Sequence, residues 1–161
     1  LVTFNEYFDT FVPASKQVGQ MQTLLENLYK QETTFGETDF SALCGHLGKH
    51  VNKRSFLVLY TNFSNMTSLN RQLVYLQQLA RQHRVLVVFF EDADLKEYIA
   101  GKSVTTEDYY RHVIAEKFAF EKRLIVSTLK QHGIYSLLTT PDKLSIDVIN
   151  KYLEMKSRQL L

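Results

Sequence analysis

Cysteine is nearly missing from this chain. Cys44 is the only one among 161 residues, so no internal disulfide can form, and a reducing compartment is the simpler reading. Its expected role is that of a small buried hydrophobe. Long apolar runs are also missing. None approaches the roughly 20 residues of a membrane helix, and no signal peptide is visible. An excess of one charge is missing as well. Nineteen Lys and Arg against seventeen Asp and Glu leave a net charge of +2, too little to point to nucleic acid or to direct contact with an anionic membrane. No Walker loop, no G-x-G-x-x-G and no G-x-S-x-G occurs. There is no repeat, no low-complexity segment and no obvious linker.

What is present is a mixture suited to one soluble globular domain spanning 1–161, with 45% hydrophobic and 22% charged residues. The chain starts without Met, inside the apolar run "LVTF", and is expected to be the C-terminal fragment of a longer protein. Residues 1–5 and 8–13 are expected as two short strands around a turn at Glu6-Tyr7, with Pro13 ending the second. Ser15 is placed to cap a helix over 16–31, and a second helix is expected over 39–53. From residue 55 the order becomes strand (55–63), helix (68–83), strand (84–92), short helix (93–100), long helix (from 105 or 106 to 133), strand (134–140) and helix. Asp108 is placed for a capping box, Pro141 breaks the last strand, and Ser145 is placed as the cap of the last helix. The strands are apolar on both faces. The expected fold is therefore α/β, an open, mostly parallel sheet with helices on both faces.

Ligand sites in such sheets lie beyond the carboxyl ends of the strands. "LVLYTNFSN" (57–65) brings Thr61-Asn62 to that edge, and "FGETD" is placed to approach it. Thr38, Asp39, Asn62, Ser64 and Asn65 are the candidate site residues. Hydroxyl and carbonyl oxygens of this kind suit Mg²⁺, but Asn62 brings no charge. The competing structural roles are helix caps for Thr38 or Asp39 and a turn at Asn62. Glu91-Asp92 is the one adjacent carboxylate pair at a strand end, and it supports the alternative of a metal-dependent hydrolase. His46 and His50 stand four apart without an evident third ligand. "GKHVNKR" (48–54) is expected to be a solvated helix end.

The ordered set "FVPAS", "FGETDFSAL", "KRSFLVLYTNF", "RVLVVFFED", "TTEDYYRHVIAEKFAFEKR" and "DVINKYLEMKSRQLL" resembles a bacterial family called domain of unknown function fifty-eight, itself similar to the von Willebrand factor A domain. The resemblance covers essentially all of residues 1–161. It implies a von Willebrand factor A-like (Rossmann-like) domain whose first strand, with its Asp-x-Ser-x-Ser metal-binding run, is absent. Thr38 then matches the threonine of a metal-ion-dependent adhesion site, and Asn62 stands where an Asp is expected. The implied site is degenerate: no cofactor, and Mg²⁺ bound in the millimolar range or not at all. The implied function is non-enzymatic protein binding beside a MoxR-type AAA+ ATPase in protein or complex assembly. The implied location is a cytoplasmic domain of a parent tethered to the bacterial inner membrane. The missing strand would leave the strands at 1–5 and 55–62 with open edges, each unpaired buried backbone group costing about 1–3 kcal/mol. The fragment is expected to associate through that edge, as a homo-oligomer.

Overall fold

The computed structural model describes residues 1–32, 38–91, 95, 98–99 and 105–161. The chain forms two compact units, Leu1–Asn52 and Lys53–Leu161. In the first, β1 (Val2–Phe4) pairs antiparallel with β2 (Phe8–Phe11), Val2 opposite Phe11. Asn5 makes the turn, its Oδ1 accepting the Tyr7 N–H at 2.9 Å. This is an Asx turn, a local bond that lets the chain reverse within three residues. Helix α1 (Gln20–Tyr29) begins later than the expected 16. Gly19 sits at its N-cap with φ of 91°, and the Ser15 hydroxyl caps nothing in the helix but accepts the Gln17 N–H at 3.1 Å. Only glycine adopts such a φ without strain, so it fixes the start.

Helix α2 (Phe40–His50) is capped by Asp39, whose Oδ1 accepts from the N–H groups of Ser41 (2.7 Å) and Ala42 (3.2 Å). It buries Phe40, Leu43, Cys44 and Leu47. The Phe40 ring meets that of Phe4 edge-on, centroids 5.4 Å apart.

The second unit is built on a parallel sheet in the order β3 (Phe56–Tyr60), β4 (Arg84–Phe90), β5 (Tyr135–Thr139). Leu59 lies opposite Val87, and Phe89 opposite Leu138. Strand β4 is central, and Val85, Leu86, Val87, Val88 and Phe89 are all buried. A strand buried on both faces has no need of alternation, which accounts for the unbroken run "VLVVFF". Strand β3 has β4 as its only pairing partner among the described residues.

Helix α3 (Met66–Gln82) returns the chain from β3 to β4, and α4 (Thr106–Gln131) lies between β4 and β5 in sequence. These two helices touch each other, and Lys122 of α4 lies over the ring of Phe89. They therefore cover the face that carries Val85, Val87 and Phe89. Helix α5 (Leu144–Ser157) covers the opposite face. Its Tyr152 meets Phe56 with ring centroids 5.9 Å apart, and Phe56 shares its side of the pleat with Val58. The expected α/β sheet with helices on both faces is thus present in this unit.

Two caps are built as capping boxes. Asn65 holds the start of α3 with Ser68, and Thr105 holds the start of α4 with Asp108. Ser145 does not cap α5. The turn after Pro141, closed by Lys143 N–H to Thr140 O at 3.1 Å, runs directly into the helix and leaves Ser145 in its first turn. Of the short helix expected at 93–100, Leu95, Tyr98 and Ile99 are helical, and the remainder lies outside the described residues. Among the described residues no helix is long and apolar enough to cross a membrane.

Candidate functional site

The C-terminal ends of β3 and β4 open on a cleft of about 850 Å³. Asn62 and Ser64 line it from the segment after β3, Phe90 and Glu91 from the end of β4, and Leu95 and Ile99 from the following helical residues. Helix α4 supplies Phe118, Ala119, Lys122 and Arg123. The volume lies within the range of small-ligand sites, and the lining is apolar with a few polar groups.

Lys122 is the half-buried cation that lines this cleft. Ala115, Phe118, Lys122, Ile125 and Leu129 follow one another at three- and four-residue steps, so they share one face of α4. Ala115, Ile125 and Leu129 are buried, and Lys122 stands in the same stripe as a half-buried cation. Its Nζ donates to Asn62 Oδ1 at 2.5 Å and to Phe63 O at 2.8 Å, and it lies 5.7 Å from the centroid of the Phe89 ring. Both acceptors are neutral. Among the described residues no carboxylate lies within ion-pair distance of this ammonium. Burial accordingly pushes its pKa below the ordinary lysine value, because low polarity disfavours the charged form.

Asn62 is therefore neither a simple turn residue nor an open metal ligand. Its amide oxygen is taken by an ammonium, and a divalent cation placed there would face a positive charge at close range. Among the described residues no three His, Cys, Asp or Glu side chains are grouped to hold a metal ion. Asn65 accepts the Ser68 N–H at 2.9 Å and is committed to capping α3. Ser64 is exposed on the lining of the cleft. Asp39 is committed to capping α2 in the first unit, and Thr38, just before it, is half-buried. Glu91 is half-buried at the end of β4, its N–H donating to Thr139 O at 2.9 Å. Asp92, its expected partner in a hydrolytic pair, lies outside the described residues.

The remaining candidates have structural roles. His46 stacks between Phe8 (ring centroids 3.4 Å) and His50 (4.2 Å). Desolvation, then the charges of His50 and Lys49, lower its pKa. Cys44 is buried, and burial followed by the nearby Asp39 raises its thiol to about 11; a thiol at that value is inert at neutral pH. At the third strand end, Thr139 Oγ1 donates to Asp147 Oδ2 of α5 at 2.5 Å, which ties β5 to the helix that follows.

Lys122 and Arg123 were not among the sequence candidates. The signal for Lys122 was available: it is the one charged residue inside the apolar stripe 115-118-122-125-129. Its acceptors lie some sixty positions away in the chain, and no spacing rule connects them. Set against known families, characterised proteins and solved structures, the chain matches none.

Proposed function

We propose that this chain is a non-enzymatic protein-interaction domain that presents its strand-end edge to a protein partner. The observation that supports the reading most is the hydrogen bond by which Lys122 holds Asn62 on the lining of the cleft. A strand-end edge whose Asn62 amide oxygen is already held by an internal ammonium has no need of a metal to be ordered as a recognition surface. Asn62, Ser64 and Asn65 are the contact residues proposed for the second unit. Thr38 and Asp39 are proposed for the first, each to be tested by itself. The partner is a MoxR-type AAA+ ATPase, and the process is protein or complex assembly in the cytoplasm, the parent chain being held at the bacterial inner membrane. The fold proposed for the whole is von Willebrand factor A-like, with a degenerate metal-ion-dependent adhesion site.

The test is direct binding to the purified ATPase from the same host, read by interferometry. The wild-type chain is expected to bind, and Asn62→Arg and Ser64→Arg to weaken it about tenfold or more, since a long side chain forced into a packed interface disrupts its shape complementarity. Variants that remain folded and keep full affinity would remove the strand-end edge from the proposal.

A further inference from the structure

Among the described residues the ammonium of Lys122 is only partly satisfied. It carries three N–H donors, of which two are used, by Asn62 Oδ1 and Phe63 O. Its acceptors among the described residues are both neutral, so none of them supplies the counter-charge that normally offsets desolvation of a half-buried cation. The third donor faces no acceptor among the described residues, and the cleft beside it is walled by Phe90, Leu95, Ile99 and Phe118. A half-buried positive charge beside apolar walls is complementary to a negative charge carried on an apolar body.

We propose that the cleft binds an acidic side chain of the partner, a Glu or Asp next to a large apolar residue, with its carboxylate accepting from Lys122 Nζ. The inference rests on the protein-interaction reading above and names the chemistry that the partner brings to it. Arg123, exposed where it lines the cleft, supplies a second positive charge. The apolar neighbour of the acid fills the space against Phe90, Leu95 and Ile99.

A phosphate fits less well. A dianion in an apolar cleft costs more to desolvate, and it is usually met by free N–H groups at a helix start. The start of α3 offers little, because Asn65 Oδ1 already takes the Ser68 N–H. Glu91 also lines the cleft, and it makes an interaction of its own.

The experiment titrates the chain with two end-blocked tripeptides, acetyl-Leu-Glu-Phe-amide and acetyl-Leu-Gln-Phe-amide, and with phenylbutyrate against phenylbutanol, following backbone amides by NMR. The Glu peptide is expected to shift the amides of Phe63, Phe90 and Ala119 and to bind about ten- to hundredfold more tightly than the Gln peptide, the range of a hydrogen bond to a charged group. Lys122→Met is expected to abolish that difference, and Lys122→Arg to retain part of it. Equal binding of the Glu and Gln peptides overturns the proposal, and this comparison needs only the wild-type chain, so it stands even if a variant fails to fold. Binding of phenylbutyrate with no binding of the Glu peptide overturns the assignment to a partner side chain in favour of a free carboxylate. If Lys122→Met folds and keeps full affinity for the ATPase, the cleft is not the anchor, while the interaction reading survives. If the Glu peptide binds as expected but the ATPase does not bind the wild-type chain, the choice of partner fails and the chemistry of the cleft stands.

Discussion

At the scale of single residues, His83 shows how one buried ring sets a pH dependence. It is 2% exposed, and its Nδ1 accepts the Ser55 N–H at 3.3 Å. Protonation would turn that acceptor into a second donor facing a donor, and it would place a charge where burial already lowers the pKa below 6.5. The unfolded chain therefore takes up the proton first as pH falls. Stability is complete above about pH 6.5, the unfolded value, and declines below it until the folded-state pKa is reached. His46, also lowered, acts in the same direction. Thermal midpoints measured from pH 7.5 down to about 5 should fall with pH, and His83→Asn, which keeps an acceptor for Ser55, should flatten the curve. An unchanged slope in that variant would remove His83 as the cause. Local residue chemistry was also what the sequence showed best. Asp39 and the Thr105–Asp108 pair form caps as their positions predict, because a cap depends on neighbours within three residues. Ser15 and Ser145 did not cap, since Gly19 and the turn after Pro141 determined those helix starts instead. Lys122 was illegible because its acceptors come from a segment far away in the chain.

At the scale of elements, the strands were legible as apolar runs and their ends as polar pairs. The edges of the sheet were not legible from spacing, because pairing is a long-range property; an open edge at 55–62 was expected only as what the family resemblance implies. Strand β3 carries FLVLY, with no Lys, no Pro and no bulge in its pairing to β4. Edge strands are usually protected by one of these features. Its backbone groups on the side away from β4 have no strand partner among the described residues, and Tyr60 at its end is 54% exposed. Such an edge is expected to recruit a strand from another copy of the chain. Light scattering over a concentration series should show the mean mass rising with concentration. Tyr60→Lys, which places a charge on the exposed end of β3 without disturbing buried contacts, should lower the mass towards the monomer. A monomer at every concentration in the wild type would show that the edge is closed by other means.

At the scale of the whole molecule, the two units differ in how much structure each holds. Lys53–Leu161 contains a three-stranded sheet covered on both faces, and its central strand contributes five buried residues in succession. Leu1–Asn52 contains a two-stranded sheet, a helix α1 with no buried residue, and α2. A two-stranded pair is marginal alone and depends on what packs against it, whereas a covered three-layer unit carries its own core. Local opening should therefore be cheaper in the first unit. The residues joining the units, 51–54, have no helix or strand, and Lys53 and Arg54 are exposed, which makes them accessible to trypsin. Limited tryptic digestion of the intact chain, followed by mass spectrometry, should cut first at Lys53 or Arg54 and leave a resistant product that ends at or near Leu161. Hydrogen exchange should show amides of β4 as the slowest and those of β1, β2 and α1 as markedly faster. Equal protection across both units, with no early cut at Lys53 or Arg54, would mean that the chain opens only as a whole, and that the first unit draws its stability from more than its own hairpin and helices.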